Sequence, residues 1–164
     1  MPQVATTHVI LTSALVFAAL IFMLGTSVYA GYIMDLRLEM QLRNTAYYIA
    51  NLAQQLYLVV NSSDFPAGPQ ELTKLLNIPA DIEGHLYFIN ADIPDVTYPA
   101  GIKNLTVTAA LINRPLLMSS ATVPIGDNVV WDKTLNSIDM SRRAMVLKIA
   151  ILKEPSRLLF SFKV

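Results

Sequence analysis

Side chains that could carry out catalysis or bind a metal are few in this chain of 164 residues, and they do not cluster along it. The two histidines, His8 and His85, lie far apart, and His85 has one acidic neighbour at close spacing, Glu83. Imidazole and carboxylate groups are metal ligands, so this pair could begin a metal site. A lone histidine at the start of a strand is more typical of a structural side chain, and we expect that role for His85.

The remaining candidates fit known chemical motifs poorly. Asp92 and Asp95 could ligate calcium, but their spacing does not match an EF-hand loop and is typical of a solvated loop. Ser119 and Ser120 lack the G-x-S-x-G context of a nucleophilic serine. No phosphate-binding loop or dinucleotide fingerprint is present. The sequence therefore predicts no catalytic residue, no metal site and no cofactor, and it indicates that the protein is not an enzyme.

The composition argues against further classes of protein. The 12 basic residues balance the 12 acidic ones without forming a basic block, so nucleic-acid binding has no electrostatic support. The chain has no cysteine, which excludes a disulfide scaffold and a thiolate metal site. A hydrophobic fraction of 54% favours a packed domain over a disordered one.

The N-terminal part of the chain has the strongest pattern. The first 34 residues contain no Asp, Glu, Lys or Arg, and residues 9–34 are almost continuously apolar. About 20 such residues are enough to cross a bilayer as an α-helix. No proline occurs between Gln3 and Phe65, so nothing forces the helix to end at the membrane surface. The pattern predicts a helix over residues 1–60, apolar first and amphipathic later, followed by a domain over residues 61–164.

The apolar run has two possible interpretations. One is a signal peptide cleaved after Val28-Tyr29-Ala30, and the other is a retained membrane helix. Signal peptides begin with a basic region and have an apolar core of about 7–15 residues. Residues 1–8 contain no Lys or Arg, and the apolar run is longer than that core, so the sequence favours retention.

Two features disagree about which side of the membrane holds the C-terminal domain. Arg37 and Arg43 follow the apolar run, and by the positive-inside rule they favour the inside. Asn61 and Asn104 begin Asn-x-Ser/Thr sequons, candidate N-glycosylation sites that have meaning only outside the cell. Because the domain is also β-rich and free of cysteine, we expect it to be extracytoplasmic.

Beyond residue 34 the helical pattern becomes amphipathic. Apolar residues recur at alternating spacings of four and three, as in a heptad seam with one polar member, Thr45. The seam predicts a helix-packing interface formed by Leu38, Leu42, Ile49, Leu52, Leu56 and Val59. This face could cover the C-terminal sheet, while residues 9–34 pack on lipid or on identical neighbours.

The C-terminal part has mainly strand patterns. Pro69 and the residues after it predict a short helix over residues 69–76. Strands are expected at residues 86–89, 102–112, 121–125 and 128–131, and a hairpin at 145–151 and 158–164. The predicted fold class is therefore α+β: a long N-terminal transmembrane or filament helix followed by a small antiparallel β-sheet or β-sandwich domain.

This layout resembles that of archaeal type IV pilins and archaellins. Residues 42–52 look like the helix of pilin-like proteins just above the membrane. Residues 76–87 resemble a Leu-x-hydrophobic-Pro, Ile-x-Gly, Tyr passage of that group, here formed by Leu76, Ile78, Pro79, Ile82, Gly84 and Tyr87. The resemblance implies a surface filament in which the N-terminal helices self-associate as the core and the β domains form the exterior.

The chain departs from that family in two respects. Family precursors carry a short basic leader that ends in Gly and is cut by the prepilin peptidase, but no Lys or Arg precedes Val9 here. The acidic residue near the start of bacterial pilin helices is also absent. The alternative expectation is a single-pass anchored accessory protein of a pilus, archaellum or secretion machine. Its β domain would bind envelope partners such as that machinery or an S-layer.

Overall fold

The computed structural model describes residues 2–62, 70–94, 101–132, 137–140, 147–154 and 157–163, with the backbone alone for residues 2–6. In chain order the elements are α1 (Pro2–Val60), β1 (Gln70–Leu75), β2 (Tyr87–Asp92), β3 (Ile102–Leu111), β4 (Met118–Gly126), β5 (Val129–Trp131), β6 (Ser137–Asp139), β7 (Lys148–Lys153) and β8 (Leu158–Lys163). The chain divides into two compact units, Met1–Arg37 and Leu38–Val164. The first consists of the N-terminal part of α1, and the second contains the rest of α1 and all the strands.

The strands of the second unit form two four-stranded sheets, with the orders β1-β7-β8-β5 and β4-β3-β2-β6. The second sheet is antiparallel throughout, whereas β5 pairs with β8 in parallel at the edge of the first. The predicted α+β class, with a long N-terminal helix followed by a small domain of largely antiparallel strands, is confirmed.

Strands with alternating patterns form as the sequence predicts. In β3 the side chains of Leu105, Val107, Ala109 and Leu111 are buried, and the threonines between them are half-buried. The C-terminal hairpin also forms, with Ile149 opposite Phe162 and Ile151 opposite Phe160. Alternation is informative here because successive side chains of a strand point to opposite faces of the sheet.

The predicted short helix over residues 69–76 is wrong. Gln70–Leu75 is strand β1, and all six of its residues pair with β7. The spacing of Leu72, Leu75 and Leu76 fits a helix locally, but antiparallel pairing with a distant strand overrides that preference. Strand β6 was not predicted from the sequence, because three residues are too few to show alternation.

The heptad seam of α1 lies largely within the core of the second unit. Leu38, Leu42, Ile49, Leu52 and Leu56 are buried in one hydrophobic cluster with residues of both sheets. Val59, in contrast, is 52% exposed, and its neighbour Val60 is completely buried, which contradicts the predicted place of Val59 in the packing face. An α-helix drifts by about 20° per heptad from a strict seven-residue repeat, so the buried stripe moves by one position towards the end of the helix.

The core of this unit also holds its one tryptophan, Trp131, which is 4% exposed. The indole ring stacks on Phe160 at 5.6 Å between ring centroids and meets the edge of Phe162 at 5.0 Å. Offset and edge-to-face ring pairs of this kind stabilise a core beyond the area that they bury. Trp131 is therefore a spectroscopic reporter of the packing of this unit.

Gly126 provides a test of how closely α1 approaches β4. A Cβ atom at this position would overlap the hydroxyl oxygen of Tyr57 and would lie 2.9 Å from the Oδ1 atom of Asn128. We expect Gly126→Ala to destabilise the domain by about 1–3 kcal/mol, because overpacking forces neighbouring side chains to move. The melting temperature of the full chain in detergent, followed by the near-ultraviolet circular dichroism of Trp131, measures the effect.

The double variant Tyr57→Phe/Gly126→Ala identifies the cause of this destabilisation. Tyr57→Phe removes the hydroxyl oxygen that the new Cβ would meet, so Gly126→Ala should cost less in that background than in the wild-type chain. Equal costs in the two backgrounds would show that Tyr57 does not limit the space at Gly126.

Candidate functional site

The most unusual surface of the molecule is the apolar segment, defined as residues 9–34 of α1. Its large side chains are strongly exposed, with Phe22 at 72% and Val28 at 74%. Within the part of the chain that the structure describes, α1 is the one helix long and apolar enough to cross a membrane. Its most apolar window has a mean hydropathy of 2.4, and none of that window is buried. Soluble monomers rarely expose a continuous apolar surface of this extent.

Three hydroxyl groups of this segment bond to the backbone of the same helix. The hydroxyl of Thr12 donates to the carbonyl of His8 at 2.7 Å, and the hydroxyl of Ser13 donates to that of Val9 at 2.8 Å. Thr26 donates in the same way to the carbonyl of Phe22 at 3.0 Å. A helix satisfies its backbone internally, and these bonds do the same for the side chains. The segment can therefore leave water without leaving these hydroxyls unpaired.

Charged residues begin abruptly after the apolar segment. Asp35, Arg37, Glu39 and Arg43 follow it within nine positions along α1. The guanidinium of Arg43 lies 5.5 Å from the ring centroid of Tyr47, one turn further along the helix. Cations and amphipathic aromatic rings are the residues that proteins place where an apolar span meets water. The sequence alone identified this boundary, because it depends only on residue types in order.

The turn at residues 81–86 explains the motif that carried the family resemblance. Ile82 and His85 exchange two backbone hydrogen bonds of 2.9 Å, and the residues between them, Glu83 and Gly84, have φ angles of 50° and 80°. Two consecutive positive φ angles favour glycine at the second position. The amide of Gly84 also donates to the Asp81 carboxylate at 3.0 Å. These residues hold a tight turn, and they form no catalytic cluster with one another.

The two sequon asparagines are both exposed. Asn61 follows the end of α1, where its amide donates to the carbonyl of Tyr57 at 2.9 Å. Its sequon partner Ser63 lies outside the described residues. Asn104 is on β3, and the hydroxyl of its sequon partner Thr106 lies 3.3 Å from that of Thr122. The side chain of Asn104 is therefore accessible, which glycosylation requires.

The other residues that could take part in catalysis or bind a metal are dispersed. Among the described residues, no three His, Asp or Glu side chains come together as a metal site would need. His85 is half-buried in the turn and His8 is exposed on α1, while Asp92 is exposed at the end of β2. Asp95, the other residue of the candidate calcium pair, lies outside the described residues. Ser119 and Ser120 lie on β4 as adjacent strand residues.

Among the described residues, Tyr87 has a titratable group whose pKa is clearly shifted. Its ring is completely buried at the start of β2, and its hydroxyl donates to the carbonyl of Pro79. Burial, and to a lesser extent the nearby negative charge of Asp81, raises the pKa of the Tyr87 hydroxyl above its ordinary value of about 10. The hydroxyl therefore stays neutral and holds residues 79–87 together.

This shift predicts a pH dependence of stability. A pKa that is higher in the folded than in the unfolded state stabilises the fold fully below pH 10 and progressively less as the pH rises above it. We expect the melting temperature to fall above pH 10 and to fall less in Tyr87→Phe. At pH 7 that variant should lose about 1 kcal/mol with the hydrogen bond. Parallel curves for the two proteins above pH 10 would contradict the assignment to Tyr87.

A second apolar surface, which the sequence did not predict, lies between β3 and β4. Leu116 is 95% exposed, Met118 is 59% exposed and Ile112 is 38% exposed. Residues 112–118, here named the hairpin tip, contain a turn in which the Leu117 amide donates to the Arg114 carbonyl at 2.9 Å. The adjacent Pro115-Leu116-Leu117 was the available signal, but residue types alone do not show which leucine is exposed.

Comparisons with protein-family models, with curated proteins and with solved structures find no match to this chain. The function is therefore argued from the residues themselves.

Proposed function

We propose that this protein is a structural subunit of an archaeal type IV pilus-like surface filament. In this proposal the apolar segments of many copies form the filament core and the β domains form the exterior. The observation that carries the proposal is the exposure of nearly the whole uncharged apolar segment within the same helix, α1, whose later residues pack in the β-rich unit.

The apolar segment needs a nonaqueous environment, and two are available to it. Before assembly it lies in the bilayer, where a helix of this length and hydropathy is stable. In a filament it lies against the same segment of other copies. Ala14, Ala18 and Ala19 are small enough to let helix backbones approach closely there. A helix that is apolar on all sides suits both environments, because no face of it needs water.

In a second candidate function, the apolar segment lies in the bilayer only. The chain is then a single-pass accessory protein of a pilus, archaellum or secretion machine, and its extracytoplasmic β domain binds an envelope partner. The same observation favours it, since lipid alone can cover residues 9–34. In this reading α1 is an anchor, and copies of the chain need not touch one another.

Electron microscopy of cells with and without the gene separates the two functions. For a subunit, we expect filaments to be absent from the deletion strain and sheared wild-type filaments to contain this chain as a main component by mass spectrometry. N-terminal sequencing of the same material identifies where the mature chain begins. If the protein remains in the membrane fraction and filaments of normal composition persist without it, the subunit proposal is wrong and α1 acts as an anchor.

A further inference from the structure

The exposed leucine and methionine of the hairpin tip (residues 112–118), Leu116 and Met118, lie outside the hydrophobic core of the β-rich unit. The turn is held by the bond between Leu117 and Arg114, and the Leu111 amide donates to the Leu117 carbonyl at 3.1 Å. Leu116 is nevertheless 95% exposed, and Met118, two residues later in the sequence, is 59% exposed. Single exposed leucines are common, but two large exposed apolar side chains, one on the turn and one at the start of the strand that follows it, indicate a contact surface.

Hydrogen bonds locate the hairpin tip within the β-rich unit. The Ile112 amide donates to the Leu86 carbonyl at 3.0 Å, and Glu83, three residues before Leu86, accepts a bond from the Gln41 side chain at 3.0 Å. The tip is therefore close to the first turns of α1 in this unit. The other end of β4 is bound further along the helix, because the Gln54 side chain donates to the Pro124 carbonyl at 3.2 Å.

The dimensions of helix and strand agree with this placement. Gln41 and Gln54 are separated by about 20 Å along an α-helix that rises 1.5 Å per residue. Pro124 and Met118 are separated by about 20 Å along a strand that rises about 3.4 Å per residue. From Pro124 to Met118, β4 therefore covers about the same length as α1 does from Gln54 to Gln41. The tip lies at the end of the unit where Leu38 begins. In the sequence only Asp35, Leu36 and Arg37 separate Leu38 from the apolar segment.

We propose that the hairpin tip contacts the surface of the bilayer that holds the apolar segment, with Leu116 and Met118 inserted at the boundary between headgroups and acyl chains. This inference rests on the membrane placement of α1 in the proposed function, and it does not require a filament. Partial insertion of two large apolar side chains is favourable because it removes their apolar surface from water. The tether through α1 keeps the tip near the surface, so even weak contacts are occupied.

The charges near the tip are compatible with a lipid surface. Arg114 is the one charged residue in the sequence of the tip, and a cation suits the phosphates of lipid headgroups. The two carboxylates of the neighbouring turn already accept hydrogen bonds, Asp81 from the Gly84 amide and Glu83 from Gln41. The apolar side chains are the main source of affinity, so zwitterionic phosphatidylcholine should be sufficient.

Spin labelling tests this contact directly, because the chain has no native cysteine. The full chain would carry a nitroxide label at Leu116→Cys or, as a control on the same hairpin, at the exposed Thr122→Cys. Each variant would be reconstituted in phosphatidylcholine vesicles. For each label we would measure the ratio of collisions with oxygen to collisions with a water-soluble nickel complex. We expect this ratio to be several-fold higher at position 116 than at position 122. The near-ultraviolet circular dichroism of Trp131 verifies that both variants are folded.

Three results would overturn the proposal. Equal ratios at positions 116 and 122, with a label at Ile21→Cys in lipid, would show that α1 spans the bilayer and the tip stays in water. A label at position 21 that collides with the nickel complex would refute the membrane placement itself, and the tip contact with it. Spin–spin broadening at position 116 that disappears on dilution with unlabelled chain would identify a second copy as the neighbour.

Discussion

Under the proposed subunit function, replacing Ile21 with aspartate should strongly reduce the number of filaments while leaving the protein in the membrane. Ile21 is 70% exposed near the middle of the apolar segment. An aspartate at the centre of a membrane helix costs about 3 kcal/mol, which a run as apolar as residues 9–34 can tolerate in a bilayer. In a filament core the same carboxylate is buried in every copy, without water and beside the carboxylates of its neighbours. The unfavourable energy therefore repeats with each subunit added.

The matched control is Ile21→Ala, which shortens the same side chain without adding a charge. We expect filaments with Ile21→Ala and at least about tenfold fewer with Ile21→Asp, since a difference of 1.4 kcal/mol per subunit already changes an equilibrium tenfold. Filaments are counted by electron microscopy, and an immunoblot of the membrane fraction shows that both variants are made and inserted. Normal filament numbers in Ile21→Asp would show that residues 9–34 do not form a filament core.

The features that the sequence predicted well depend on neighbouring residues. The apolar segment is defined by consecutive residue types, and α1 is defined by the lack of proline from Gln3 to Phe65. The β3 strand and the β7–β8 hairpin have regular alternation over several residues. These patterns are sufficient for the α+β class and for the candidate membrane helix, because each is a local consequence of helix or strand geometry.

The features that the sequence did not predict depend on distant residues. β1 is a strand because β7 pairs with it, although its leucines are spaced as in a helix. The parallel pairing of β5 with β8 joins segments that follow no common local pattern. Whether Val59 or Val60 faces the core depends on the accumulated rotation of α1 relative to the sheets. The apolar surface of the hairpin tip was not predicted for the same reason, since the exposure of Leu116 depends on which residues the rest of the domain covers.

The buried stripe of α1 predicts the largest change in stability. Ile49 is completely buried in the core cluster that α1 shares with both sheets. Ile49→Ala removes buried methyl groups and leaves a cavity, which typically costs about 2–5 kcal/mol. Because small domains are stable by only about 5–15 kcal/mol, this is a large fraction of the total. We expect the melting temperature of the full chain in detergent, followed by the Trp131 signal, to fall by about 10 °C or more.

Val59→Ala is the matched control for this prediction. Both substitutions replace a β-branched residue of the same helix with alanine, so the gain in helix propensity is similar. Val59 is 52% exposed, however, and its truncation should change the stability by no more than about 0.5 kcal/mol. A heptad interface that used Val59 would give the two variants comparable losses. A large loss at Ile49 with almost none at Val59 therefore establishes that α1 is the covering layer of the β sheets, with the buried face that the structure shows.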